Sequence, residues 1–178
     1  MNGRFLLLLV RTLLKGPRSI ATPAMDQDTI VQLGANLAER AQAKLGRSLR
    51  IREVDAGSCN GCELELQALN GPVYDLERFG ISFVASPRHA DVILVTGPVS
   101  ANMAEALRRT YDAAPHPKWV VAVGDCASNG GCFAGSYAVL NGVQSVVPVD
   151  LTIPGCPPEP EKLLAALLAL LDKTATGE

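Results

Sequence analysis

Aromatic residues are scarce in this chain of 178: four phenylalanines, three tyrosines and one tryptophan. Proteins that bind single-stranded nucleic acid stack bases on aromatic side chains, and little material for such a platform exists here. Charge of one sign is equally lacking. Lysine plus arginine number 16 and aspartate plus glutamate 18, a formal net charge of −2 with no long basic run, so the electrostatic footprint of a nucleic-acid binder is missing. Histidine occurs only twice, which supplies a hydrolytic triad or a zinc-hydrolase site poorly. No Gly-x-Gly-x-x-Gly follows a strand pattern, and neither a Walker phosphate loop nor a Gly-x-Ser-x-Gly elbow is present. The strongest apolar run near either end covers residues 5–10, whereas a bilayer-spanning helix needs about 20 residues. Five cysteines are an odd number and too few for the disulfide scaffold of a small secreted protein. Metal or redox chemistry becomes the better question.

What is present begins with a basic, apolar N-terminal stretch. Arg4, Arg11 and Lys15 share a helical stripe with Leu8, opposite Phe5, Leu6, Leu9 and Leu13. That is the pattern of an amphipathic helix lying on a membrane surface or on a partner subunit. A frayed terminus and an export signal are the alternatives, and Arg11 interrupts the apolar region too early for the latter. After Gly16 and Pro17, Ile30, Leu33, Leu37, Ala41 and Leu45 mark a second helical stripe, with Gly46 placed as its stop. Residues 1–47 are read as an N-terminal helical extension and residues 48–174 as the globular domain.

Within that domain the pattern alternates. Strands are expected over residues 49–54, 81–85, 91–96, 118–123 and 145–149, and helices over 63–69, 101–111 and 161–171. Alternation of this kind predicts an α/β domain with a parallel sheet. In such sheets functional groups collect where strands deliver the chain into loops at their carboxyl ends. Cys59 and Cys62 follow the strand ending near Asp55, Cys126 follows the strand ending near Val123, and Cys156 follows the segment ending near Ile153. Four thiols are thereby expected on one edge.

Each of these cysteines lies among glycine or proline: Gly57-Ser58-Cys59-Asn60-Gly61-Cys62-Glu63, Gly124-Asp125-Cys126 and Pro154-Gly155-Cys156-Pro157-Pro158. Such backbone can approach a cluster closely and aim amide N–H groups at anionic sulfur. Four thiolates suit a 4Fe-4S cluster, and the soft donor set also suits zinc. Structural zinc usually gathers its ligands as two close pairs, whereas here one Cys-x-x-Cys is joined by two distant single cysteines, so zinc is the weaker reading. A thioredoxin-like dithiol lacks its aromatic and proline surroundings. Small buried cysteines of an ordinary core would not cluster in loops.

These strings, together with Ser86-Pro87-Arg88-His89-Ala90-Asp91 and Ile153-Pro154-Gly155-Cys156-Pro157-Pro158-Glu159, resemble the small subunit of membrane-bound nickel-iron hydrogenases of the formate hydrogenlyase and energy-converting type. That group is similar to the 20 kDa (B-type) subunit of respiratory complex I. The resemblance runs from about Arg50 to Leu171. It implies a flavodoxin-like α/β fold with cluster-binding loops at the strand carboxyl ends. It also implies one 4Fe-4S cluster, with Cys59, Cys62, Cys126 and Cys156 as ligands. The function implied is electron transfer between a large nickel-iron or quinone-site subunit and a ferredoxin-like iron-sulfur subunit. The complex would include membrane-arm subunits, with this chain peripheral on the cytoplasmic face of the cell membrane.

Two departures refine this expectation. Complex I subunits of this type carry two directly adjacent cysteines at the first position, whereas Cys59-Asn60-Gly61-Cys62 has the hydrogenase-like spacing, which puts quinone reduction in doubt. The cysteine-rich C-terminal region of periplasmic uptake hydrogenases has no counterpart after the last helix, so one cluster is expected. Around the ligands, Glu63 reads either as a carboxylate favoured in a helix first turn or as an acid tuning the cluster from just outside its ligands. Arg88 and His89 precede a strand and read either as solvated loop residues or as contacts to the partner subunit, with Arg88 also a candidate just outside the ligands. Cys132 is expected to pack, and His116 to lie in an exposed loop.

Overall fold

The computed structural model describes residues 27–173; the expected helix over residues 4–15 lies outside them. Helix α1 (Gln27–Leu45) carries the predicted stripe, with Ile30, Leu37 and Ala41 buried. Gly46, at φ +66°, follows it as its stop. Five strands form one sheet in the order β2-β1-β3-β4-β5: β1 (Arg50–Asp55), β2 (Ser82–Phe83), β3 (Val92–Thr96), β4 (Trp119–Val123) and β5 (Leu151–Ile153). Every pairing is parallel. This is the flavodoxin-type order, so the α/β reading of the sequence holds.

Strands β3 and β4 are buried at every position, as a parallel sheet covered on both faces requires. Their side chains alternate between two cores. Val92, Leu94 and Val121 point to the side covered by α1, by α2 (Gly61–Leu69) and by α5 (Pro160–Lys173). Ile93, Val95 and Val120 point to the side covered by α3 (Ala104–Ala113). Helix α1 packs on α5, and its Ile30 and Leu37 belong to the same core as Leu163 and Leu167. At the amino ends of the strands, Asp91 is buried and takes two bonds from the Arg47 guanidinium, at 2.6 and 3.0 Å, plus the Arg50 N–H at 3.0 Å. A two-pronged ion pair thus ties the end of α1 to the start of the sheet.

Two expected strands differ from what forms. The strand expected over 81–85 is reduced to Ser82–Phe83 on the sheet edge. The chain leaves the ladder for the single turn Pro87–His89, where proline sets the direction. The strand expected over 145–149 is absent. Residues Val143–Ser145 form a single 3-10 turn, and Val147 is buried in the α3-side core. Pro148 has no N–H to give a ladder. Pairing begins only after Asp150, whose carboxylate accepts the Val120 N–H at 2.7 Å while its own N–H donates to the Val120 carbonyl at 2.9 Å. A short helix, α4 (Gly124–Asn129), follows β4 directly and was not expected.

Candidate metal centre

The loop from β1 to α2 is shaped by local hydrogen bonds. The Asp55 carboxylate accepts the N–H groups of Gly57 and Ser58, both at 2.8 Å, and the Ser58 hydroxyl accepts the Asn60 N–H at 3.0 Å. Gly57 and Asn60 both adopt positive φ, which glycine and asparagine tolerate best. This turn leaves Cys59 exposed and sets Cys62, half-buried, in the first turn of α2. The loop after β3 lies directly beneath it. A Cβ at Gly97 would stand 2.7 Å from the Ser58 nitrogen, so only glycine permits that approach.

Cys126 lies within α4, and Cys156 lies just beyond β5. Their loops clasp each other: the Asp125 N–H donates to the Gly155 carbonyl at 2.9 Å, and the Gly155 N–H donates to the Asp125 carboxylate at 2.9 Å. Gly124, at φ +86°, faces the first loop so closely that a Cβ there would meet Cys62 Sγ at 2.7 Å.

The structure therefore brings the four predicted cysteines to the carboxyl edge of the sheet, where they act on one another electrostatically. The Cys62 thiol is pushed up to about 12, first by burial, then by Glu63, then by Cys126, Cys59 and Cys156. Cys126 is also raised, by burial first and then by Cys132, Cys156 and Cys59. Among the described residues no group of three or more His, Cys, Asp or Glu side chains is arranged to hold a metal ion; glycine backbone lies against the sulfurs of Cys62 and Cys126. By the chemistry of its donors, a soft set of four thiols suits a cluster of iron and sulfide.

Glu63 is buried, and neither carboxylate oxygen finds a hydrogen-bond partner among the described residues. Its negative charge also helps to raise Glu53 on β1, whose carboxyl shifts upward mainly through burial and then through Glu63 and Asp55. Arg88 and His89 are exposed in the turn leading to the amino end of β3, on the approach to the edge opposite the cysteine loops. His116 is exposed, as expected. Cys132 departs from expectation. Rather than packing in the interior it is exposed, and it helps to raise the neighbouring Cys126 thiol. Sequence reasoning also passed over Asp125, although its place immediately before a candidate ligand was a usable signal. A cleft of about 460 Å³ lies beside the first cysteine loop, lined by Arg52, Glu53, Asp55, Phe83, Val84 and Ala85.

Fold and site together define an α/β protein of flavodoxin-type strand order that presents four thiols on one sheet edge. Residues 59–170 match the family described as NADH ubiquinone oxidoreductase, 20 Kd subunit, and the chain belongs to that family. Formate hydrogenlyase subunit 7 of Escherichia coli is 42% identical over 90% of this chain and 64% of its own length. The B-type subunit of NADH-quinone oxidoreductase from a Nocardioides species is 55% identical over 63% of this chain and 61% of its own length. The chain thus spans just under two thirds of these relatives. Among solved structures, a chain of the archaeal membrane-bound sulfane sulfur reductase, a respiratory membrane complex, superposes with a TM-score of 0.66 at 37% identity, covering 80% of this chain and 77% of that one.

Proposed function

We propose that this chain is the electron-relay subunit of a membrane-associated, hydrogenase-like oxidoreductase complex, holding one 4Fe-4S cluster on Cys59, Cys62, Cys126 and Cys156. The observation that carries this reading is the convergence of those thiols from three separate strand ends, with Cys62 and Cys126 each interacting with the other candidate ligands. Such a cluster, when bound, supplies a one-electron carrier. The chain's own part is to bind and tune. Cys62 and Cys126 contribute half-buried thiols, and Cys59 and Cys156 exposed ones, so the outward side of the group is the side a partner would cover. Glu63 places an unpaired buried carboxylate beside it, which disfavours added negative charge there.

The partners proposed are a large catalytic subunit, a ferredoxin-like iron-sulfur subunit and membrane-arm subunits, with this chain peripheral on the cytoplasmic face. Among the described residues no helix is long and apolar enough to cross a membrane. Relatives named as subunits of formate hydrogenlyase and of a membrane-bound hydrogenase support the hydrogenase-like version. A second reading, delivery of electrons to quinone, is favoured by the 55% identity to the Nocardioides NADH-quinone oxidoreductase chain.

The test is iron, acid-labile sulfide and zinc analysis of anaerobically purified chain, with electron paramagnetic resonance of the reduced sample. Iron and sulfide near about four each with a reduced-cluster signal are expected. Zinc without sulfide overturns the relay. Nickel in the co-purified large subunit separates the hydrogenase-like version from the quinone version.

A further inference from the structure

The loop after β3 supplies no cysteine, yet it lies between segments that do. Among the described residues, the positions other than glycine with positive φ are Asn60, Asp75, Asn141 and Val99. Asparagine and aspartate tolerate that conformation, whereas a β-branched side chain crowds its own backbone there. Val99, at φ +56°, is fully buried and belongs to the α3-side core with Val54, Ala56 and Val143. Burial of its side chain holds the backbone in a conformation that it would otherwise leave.

The peptide group that follows Val99 joins two separate segments. Its oxygen, the Val99 carbonyl, accepts the Leu140 N–H at 2.8 Å, and its nitrogen, the Ser100 N–H, donates to the Ala56 carbonyl at 2.8 Å. Ala56 stands at the start of the turn that leads to Cys59 and Cys62. On the other side, the Gly142 N–H donates to the Pro98 carbonyl at 3.0 Å and the Ala101 N–H to the Ala138 carbonyl at 2.8 Å, so residues 138–142 are fixed to the same loop. They bear in turn on α4, which carries Cys126: a Cβ at Gly142 would stand 2.7 Å from the Ser128 carbonyl oxygen.

We propose that Val99 is a positioning residue for the metal centre: its left-handed backbone aims one peptide group at both segments and so fixes the first cysteine loop relative to α4. The bracing stands on the geometry alone; its consequence for Cys59, Cys62 and Cys126 as ligands rests on the cluster reading above. A peptide group is planar and rigid, so if Val99 relaxed to negative φ its C=O and the Ser100 N–H would turn together and both bonds would be lost. An ordinary core valine responds differently to substitution. Where packing alone matters, the loss follows the volume removed, and glycine is worse than alanine. Where the left-handed backbone matters, the order inverts: alanine loses the anchoring methyl groups and keeps the strain, whereas glycine adopts positive φ freely. Val120, buried on β4 in the same core, supplies the control, since Val120→Ala removes the same methyl groups from strand backbone.

The experiment uses the full chain purified anaerobically, before and after removal of iron by chelation. Amide hydrogen exchange is followed at Ser100 and Leu140 in wild type, Val99→Ala, Val99→Gly and Val120→Ala. Exchange at both amides is expected to quicken together, by about tenfold in Val99→Ala, by about threefold or less in Val99→Gly and little in Val120→Ala. In the loaded chains, Val99→Ala is expected to shift the reduced-state resonance signal and to lose iron to a chelator about fivefold faster, with Val99→Gly nearer wild type and Val120→Ala unchanged. Val99→Ala failing to fold where Val99→Gly folds is the same inversion in stronger form. The reverse, faster exchange in Val99→Gly than in Val99→Ala, or equal exchange in Val99→Ala and Val120→Ala, overturns the bracing role. Quickened exchange with an unchanged resonance signal and unchanged iron loss overturns the ligand-positioning half. If wild type holds no iron and sulfide, the cluster reading and that half fail together, and exchange at Ser100 and Leu140 still decides the bracing.

Discussion

Asp125 and Gly155 hold each other through two opposed hydrogen bonds, main chain to main chain and main chain to carboxylate, each 2.9 Å long. Because each residue immediately precedes a candidate ligand, this clasp sets the separation of Cys126 and Cys156. Asp125→Ala removes the acceptor, leaves the Gly155 N–H without it, and is expected to lower iron binding by about 10-fold or more. Asp125→Asn keeps a side-chain oxygen at the same place and should restore most of it. Iron content after reconstitution at limiting iron, with circular dichroism as the fold control, checks both.

Gly124 offers a comparison with Gly46, since both adopt positive φ, +86° and +66°. Alanine at either position carries a backbone cost of about 1–2 kcal/mol. At Gly46 nothing lies within 4 Å of the new Cβ, whereas at Gly124 it would press on Cys62 Sγ at 2.7 Å. Both variants should therefore lose similar stability from strain, and only Gly124→Ala should also lose iron and its reduced-state resonance signal. Equal iron content in the two would show that the contact with Cys62 does not matter for binding.

Asp91 belongs to the string that carries the family resemblance, yet its observed role is structural. Replacing it by alanine leaves the Arg50 N–H and the Arg47 guanidinium without their shared partner. A loss of about 2–3 kcal/mol is expected, tempered because Arg47 is half exposed. Urea unfolding of the loaded protein should show a lower midpoint with unchanged slope, and cluster content should be unaffected.

Glu53 gives a pH dependence. Its folded-state pKa is raised by burial, then by Glu63 and Asp55. Relative to the unfolded chain, the fold therefore favours its protonated form. That stability is fully present below the unfolded carboxyl pKa and is lost as pH rises through the raised value. Glu53→Gln should accordingly raise Tm at pH 7 by roughly 1–3 °C and change it little at pH 4. A gain of the same size at both pH values would contradict this account.

Much of this was legible in the chain because it is written in local periodicity. The apolar stripe of α1 and the runs of β3 and β4 declare their structure through the spacing of Ile, Leu and Val, which burial enforces. The expected strand over 145–149 misled for the complementary reason. Val146, Val147 and Val149 have strand-like composition, but their burial is against the α3-side core, and the ladder waits for the Asp150 pairing with Val120. Local propensity does not contain that register.

The candidate ligands could be named from sequence because glycine and proline around cysteine are chemical signals that need no coordinates. Strand order, the clasp between Asp125 and Gly155, the burial of Glu63 and the close approach of Gly124 to Cys62 were decided by the tertiary structure. Each depends on which distant segments the sheet makes neighbours. A residue's type and spacing determine what chemistry it can perform and which local element it prefers. The identity of the group facing it is set only when segments far apart in the chain are packed against one another, and that packing placed the Gly155 backbone against Asp125 and Gly124 against the Cys62 thiol.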